Sequence, residues 1–308
     1  MDLLERVRAT GLLPEGERVV VLLSGGRDSV CLLDVAARIG AATALHVNYG
    51  LRDDADADEA SCRSLCARLG VALKVERAVV PGDAGNLQAW ARDVRYGAGA
   101  RIALRENALL AAGHTATDQA ETVLYRLASS PSRRALLGMA AKDGKLVRPL
   151  LSFTREETRK HCLTRGLAWV DDVTNEGDKY ARGRVRNGLV PALEAVHPAA
   201  QRNIVRAAQL LREEAAVLDE IVDTALAGRD HVSLDHLRIL PPALGRLVLR
   251  RLAEDAVGEL CPRVSARFEE VLDLDDHAML DLGDGARAVV EGGVLRFTRT
   301  PPLPVVSG

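Results

Sequence analysis

Hydrophobic positions in the first 130 residues follow two alternating rhythms. Short aliphatic or β-branched runs, Val19–Leu23, Ala42–Asn48, Val71–Glu76 and Ala108–Ala112, each have the length of one strand. Between them apolar residues recur at helical spacing over Val30–Ile39, Glu59–Leu69, Asn86 to Glu106 and Asp118–Leu127. Gly40 and Gly70 stop two of these helices, and Asn86 is suited to cap a third. Leu51–Asp58 is acidic and reads as a mobile loop, and Pro81–Gly85 as another loop. Strands alternating with helices in this way imply parallel βαβ units in a doubly wound sheet, with Val19–Leu23 as a central strand.

The rhythm changes after Pro198. Residues 199–227 read as one long helix, followed by shorter helices near Pro242–Asp255 and Val264–Leu272. Three short strands, Ala278–Leu282, Ala286–Glu291 and Val294–Thr298, close the pattern with Gly-Asp and Gly-Gly turns between them. A domain boundary therefore falls between residues 196 and 215, giving an α/β domain over 1–205 and a smaller α+β domain over 206–308.

Composition narrows the picture only a little. Of the 308 residues 47% are hydrophobic, ample for a core, and the net charge of −2 excludes a generally basic nucleic-acid coat protein. Any nucleic-acid partner must be met by a local basic patch. The cysteines (Cys31, Cys62, Cys66, Cys162, Cys261) are odd in number and unpaired in pattern, as expected of a reduced cytoplasmic protein. The N-terminal residues lack the pattern of a signal peptide, and no apolar run is long enough to span a membrane.

The strongest candidate chemistry lies where Val19–Leu23 runs into Ser24-Gly25-Gly26-Arg27-Asp28-Ser29. Small residues at a helix N-terminus present backbone N–H groups at the positive end of the helix dipole, a ready anion site. The same residues would also make a simple capped turn. The Walker pattern is excluded because no Lys follows the glycines, and the dinucleotide fingerprint because the glycine spacing is wrong. Ligands of a doubly wound sheet bind outside the carboxyl ends of its strands. His46–Asn48 and Gly113–Glu121 end strands at that same edge.

The Ser24–Ser29 segment resembles the pyrophosphate loop of the N-type ATP pyrophosphatases, which implies an adenine nucleotide alpha-hydrolase-like fold. It also implies that Ser24, Gly25, Gly26, Arg27, Asp28 and Ser29 hold the phosphates of ATP, with Asp28 helping to hold Mg²⁺. Gly113-His-Thr-Ala-Thr-Asp-Gln-Ala-Glu-Thr122 resembles a stretch of the tRNA(Ile)-lysidine synthetases. Family-like segments follow the same order: His46–Arg52, Ala91–Tyr96, Arg148–Leu151, Trp169 through Asp172 to Asn175, and Tyr180–Arg186 with Pro191. The likeness is close over residues 15–200 and looser beyond.

That resemblance implies a two-step ligase reaction on the wobble cytidine of the CAU anticodon of tRNA(Ile). Cytosine O2 attacks the α-phosphate of ATP, and the ε-amine of free lysine then displaces AMP at C2. It implies that Asp118 and Glu121, three residues apart on one helical face, position and activate lysine. Arg95 and Arg92 are implied at the phosphates or the cytidine, Arg95 foremost, and His46, Asn48 and His114 on the nucleotide side. Arg182, Arg184 and Arg186, with Arg202, Arg206 and Arg212, are candidates for tRNA phosphates; a solvated basic face would have the same composition. Homodimers are common in that family.

Several positions depart from the family pattern: Thr117 stands for an Asp, Gly183 for an Asn, Tyr49 for a frequent His, and Ser129–Ser132 for a Gly-Ser-Gly loop. Two rival readings therefore stay open. One is a tRNA thiolase of the same superfamily, although the Cys-x-x-Cys pair of those enzymes is missing. The other is a catalytically inactive nucleotide- or RNA-binding paralogue.

Overall fold

The computed structural model describes residues 1–51, 54–82, 85–130, 133–170 and 181–301. Arg52, Pro131, Ser132, Asp172, Asn175 and Tyr180, which contribute to the sequence patterns above, lie outside the described residues. The chain divides into two compact units, Met1–Gln209 and Leu210–Gly308.

In the first unit the elements run α1 (Leu3–Ala9), β1 (Arg18–Leu22), α2 (Arg27–Ile39), β2 (Ala41–Asn48), α3 (Ala55–Leu69), β3 (Ala72–Arg77), α4 (Leu87–Arg105), β4 (Leu109–Ala111) and α5 (Ala116–Ser129). Short α6 (Arg133–Leu136), β5 (Lys142–Asp143), β6 (Leu146–Val147) and α7 (Arg155–Thr164) follow. After these come α8 (Ala181–Arg184), a π-helical turn (Val185–Leu189) and α9 (Val190–Val196); α10 (Ala200–Leu226) begins in this unit and ends in the second. The six strands are ordered β3-β2-β1-β4-β6-β5 and are parallel except for β5, which runs antiparallel to β6. The sheet is therefore the doubly wound one expected from the alternation.

Strand β1 is central because its residues have apolar partners on both faces. Val19, Val21 and Leu23 join one core with α2 and α7, while Val20 and Leu22 join another with α4. Fully buried aliphatic side chains contribute roughly 1.5–3 kcal/mol each, so a polar residue anywhere in this run is costly. The chain leaves β1 toward β2 on one side and reaches β4 on the other, so the crevice at the carboxyl ends of β1 and β4 is the topological switch point. Register pairs Val21 with Ala111. Continued along both chains, that register sets Ser24 level with His114.

Some expected boundaries shift. The acidic segment before Glu59 is partly helical: α3 begins at Ala55, and Asp56 and Asp58 occupy its first turn, where the helix dipole favours them. Helix α5 begins two residues early, with Thr115 and Asp118 forming a capping box.

The second unit contains β7 (His231–Ser233), α11 (Leu234–Ile239), α12 (Pro242–Val257), a 3₁₀ turn (Val264–Arg267), α13 (Phe268–Leu272), β8 (Met279–Gly283), β9 (Ala286–Glu291) and β10 (Val294–Arg299). Its antiparallel sheet is ordered β7-β10-β9-β8, over a core that includes Leu237, Leu249, Leu282 and Leu295. Strand β7 is too short to show alternation, and its pairing with β10 defines it.

One buried charge fixes α2 against α7. Asp34 on α2 is fully buried and accepts from His161 Nε2 at 2.8 Å and Arg165 Nη2 at 3.4 Å. A carboxylate only accepts, so Nε2 carries the imidazole proton. Burial alone would raise the Asp34 carboxyl, but the bonds from His161 and Arg165 outweigh it and hold the group below its ordinary range. A depressed folded pKa stabilises the fold at neutral pH, and the contribution is lost as pH falls through that range. Asp34→Ala is expected to cost about 3 kcal/mol in urea denaturation at pH 7. The gap to wild type should shrink below about pH 4, and an unchanged midpoint at pH 7 would refute the assignment.

Candidate active site

The loop after β1 is built from its own hydroxyls. Ser29 Oγ donates to the Gly26 carbonyl at 2.7 Å and accepts from the Ser24 backbone N–H at 3.2 Å. With the Ser29 proton committed, Ser24 Oγ donates across 3.1 Å to Ser29 and accepts from the Gly26 N–H at 3.3 Å. Gly25 has φ +88°, a left-handed conformation that favours glycine. The N-cap of α2 is Gly26, which has no side chain to occupy the first-turn N–H groups. The loop thus presents first-turn N–H groups of α2 at the sheet edge, the form expected of an anion site.

Gly113 brings the second segment against this loop. A Cβ there would lie 3.1 Å from the Asp28 carbonyl group and from Ser29 N, so a side chain would push the first turn of α2 back by a few tenths of an ångström. The chain then turns into α5, whose first-turn Asp118 lies deep in the site. Asp118 Oδ2 accepts from Thr115 N at 2.9 Å and Thr115 Oγ1 at 2.8 Å. Its Oδ1 accepts from Arg182 Nη2 at 3.3 Å and Arg155 Nη2 at 3.4 Å. Desolvation pushes this carboxyl up, but the Arg155 and Arg182 cations and the Thr115 donors hold it below the usual range.

Glu121 follows one turn later and is fully buried. Arg186 grips it through two bonds, Nε to Oε1 at 2.7 Å and Nη2 to Oε2 at 3.1 Å, and Arg182 Nε donates to Oε2 at 3.2 Å. Its bond to Glu121 outweighs burial and raises the Arg186 pKa. The two carboxylates are thus brought together as expected. Arg182 and Arg186, however, are engaged with them, while Arg184 is exposed on the same segment.

The remaining candidates divide. His46 is buried, its Nδ1 3.0 Å from the Leu23 carbonyl and 3.4 Å from Cys62 Sγ. Asn48 Nδ2 donates to Asp56 and Glu59, and its Oδ1 accepts from the Gly50 N–H. Both therefore bind the chain's own groups beside the site. Arg92 and Arg95 both lie over the Tyr96 ring, at 4.5 and 5.7 Å from its centroid. The Tyr96 hydroxyl is 3.4 Å from His114 Nε2, while His114 Nδ1 is buried without a hydrogen-bond partner. Burial pushes the His114 pKa down to about 4, so the ring is neutral near pH 7.

Residues on α7 join the site without any sequence signal that pointed there. Thr158 Oγ1 donates to Asp28 Oδ1 at 2.5 Å, and Arg155 lies between Asp28 and Asp118. The helix start is legible as a capping box from Thr154 to Glu157, but its neighbours are set by packing alone. Among the described residues no three His, Cys, Asp or Glu side chains are grouped to bind a metal. Asp28, a hard oxygen donor beside the anion loop, fits a magnesium ion that takes its other ligands from phosphate and water. Cys62 and Cys66 are buried, and desolvation pushes their thiols up to about 12 and about 11, values that leave them inert.

Known proteins resemble this chain in sequence and in fold. The family model described as the PP-loop domain matches residues 4–193. A tRNA(Ile)-lysidine synthase from Salinispora tropica is 40% identical over 261 residues, 79% of this chain and 78% of that protein. One from Pseudomonas fluorescens is 37% identical over 216 residues, covering 67% of this chain and 48% of that protein. The chain thus spans about half the length of the latter relative. Among solved structures, the U34-tRNA thiolase NcsA from Methanococcus maripaludis, solved with its 4Fe-4S cluster, aligns over 68% of this chain and 78% of its own. Its TM-score is 0.57 at 21% identity, a likeness of fold.

The grip of Glu121 on two arginines makes a direct prediction. Glu121→Gln should loosen the 181–190 segment, seen as faster amide hydrogen exchange there and little change in β1 or β4. Unaltered exchange in 181–190 would show that the segment is held by other contacts.

Proposed function

We propose that this chain, which belongs to the tRNA(Ile)-lysidine synthase family of PP-loop proteins, uses ATP to join lysine to C2 of the wobble cytidine of tRNA(Ile) bearing a CAU anticodon. In the first step cytosine O2 bonds to the α-phosphorus and diphosphate leaves. In the second the ε-amine of free lysine bonds to C2, the C2–O bond breaks, and AMP leaves. The enzyme is thus a ligase that forms a C–N bond. The observation that carries this reading is the meeting, at one switch point, of an anion loop with a buried pair of carboxylates.

The roles follow from chemistry. First-turn N–H groups of α2 receive the phosphates, on a loop that the Ser24 and Ser29 hydroxyls hold in shape. Asp28 would hold Mg²⁺, which neutralises charge on the triphosphate and on the departing diphosphate. Arg92 and Arg95, stacked on Tyr96, offer cations for the α-phosphate or the extruded cytosine. His114, neutral and with one nitrogen unpartnered, offers a hydrogen bond on the nucleotide side. Arg184 is a candidate for a tRNA phosphate, as are Arg202 and Arg206 on α10, all exposed.

Asp118 and Glu121 suit the lysine ammonium, because a site that binds guanidinium between two carboxylates can bind an alkylammonium as well. An alkylammonium has an ordinary pKa of about 10.4 and a carboxylate held low is a weak base for it. Asp118 is therefore read as the group that holds lysine in place rather than the one that takes its proton. All five cysteines are free and buried, which suits a cytoplasmic enzyme and disfavours thiolation. No helix among the described residues is long and apolar enough to cross a membrane.

The direct test is incubation with ATP, labelled lysine and a CAU-anticodon tRNA. Label should enter the tRNA only when ATP is present, and folded protein that transfers none refutes the proposal. Asp118→Asn should cut lysine transfer about 100-fold. It should leave tRNA affinity and tRNA-dependent ATP–pyrophosphate exchange within about threefold of wild type.

A further inference from the structure

Arg155 belongs to none of the motifs that point to the site, yet it touches both halves of it. It is the first residue of α7, directly after the Thr154 cap. Its Nη2 donates to Asp118 Oδ1 at 3.4 Å, and its Nε lies 3.7 Å from Asp28 Oδ2. That Nε is buried and has no hydrogen-bond partner, so its link to Asp28 is purely one of charge. One turn along, Thr158 donates to the other Asp28 oxygen at 2.5 Å. Helix α7 therefore addresses both oxygens of Asp28 and one of Asp118.

The base on which Arg155 stands is rigid. Helix α7 is tied to α1 by the Arg6–Glu157 ion pair and to α2 by the buried Asp34–His161 bond. Asp28 and Asp118 stand in the first turns of two different helices, with no direct bond between them among the hydrogen bonds above. Like charges in one crevice repel, and a shared planar cation offsets that repulsion and can hold the two carboxylates at a set spacing. Met at this position would remove that cation while keeping an aliphatic stem of similar reach.

We propose that Arg155 is a positioning residue that sets the Asp28 and Asp118 carboxylates in one fixed relation, coupling the nucleotide half of the site to the amine half. The proposal rests on the reading above, in which Asp28 serves the triphosphate and Asp118 the lysine. Loss of Arg155 then damages both half-reactions, whereas loss of Asp118 damages only the second.

Arg155→Met, Arg155→Lys and Asp118→Asn are compared in tRNA-dependent ATP–pyrophosphate exchange and in lysine transfer. Arg155→Met is expected to lower both rates about 100-fold, the scale of a reacting group misplaced by an ångström. Arg155→Lys keeps the charge but not the fork and should recover about tenfold of each loss. Loss of one rate alone in Arg155→Met, or a Lys variant no better than Met, overturns the proposal. If Arg155→Met does not fold, Arg155→Lys decides: matched reductions in both rates support it, and reduction of one or neither overturns it. A crystal structure of either variant gives a reading independent of activity. The Asp28 and Asp118 carboxyl groups should move apart, and unchanged positions overturn the proposal. Wild-type protein that transfers no lysine refutes the function reading instead, and the variant structure then judges Arg155 alone.

Discussion

Three helix N-termini, those of α2, α5 and α7, converge at the carboxyl edge of β1 and β4, and their like partial charges must be reconciled before anything else can be arranged. Gly113 lets the α5 segment press on the first turn of α2, and Ala116 N donates to the Phe153 carbonyl just before α7 at 2.7 Å. Each positive end is answered by acid in its own first turn: Asp28 in α2, Asp118 in α5, and Glu156 and Glu157 in α7. The acids then need cations of their own, supplied by Arg155, Arg182 and Arg186. The result is a densely charged crevice in which nearly every group already has an opposite partner. A charged ligand entering such a crevice would exchange partners with it, with little uncovering of bare charge.

Sequence patterns carried the sheet and its edge, because both depend on local periodicity. Val19 to Ser29 declares strand, turn and helix within a dozen residues, and the i, i+3 spacing of Asp118 and Glu121 fixes their shared face. What the patterns could not carry is partner choice. Arg182 and Arg186 read as a basic stretch fit for RNA phosphates, yet they close on Glu121 from more than sixty positions away along the chain. Strands β5 and β6 are two residues each, too short for any alternation, and exist because β4 offers an edge. Arg155 had no signal beyond the capping box that starts its helix.

His46 and Asn48 illustrate a different limit. Polar residues at strand ends along a binding edge are natural candidates for ligand contacts, and the alternation does place them at that edge. Buried polar groups must be satisfied, however, and both already are: His46 by the carbonyl that precedes the anion loop, Asn48 by the first turns of α3. Through the Leu23 carbonyl, His46 supports the loop from behind. Sequence spacing can locate a residue at an edge without saying whether it faces the ligand or the scaffold.

Thr117 acquires meaning in this electrostatic setting. A second acid there would sit in the first turn of α5 beside Asp118 and add negative charge near the crevice. With threonine, the carboxylates Asp28, Asp118 and Glu121 face the guanidinium groups of Arg27, Arg155, Arg182 and Arg186. The balance leans positive, and three helix dipoles add to it. In the proposed reaction a crevice so poised would draw in the nucleotide by charge and leave Asp118 and Glu121 to recognise one ammonium. The departure at Thr117 leaves the Asp118–Glu121 pair and its arginine partners intact.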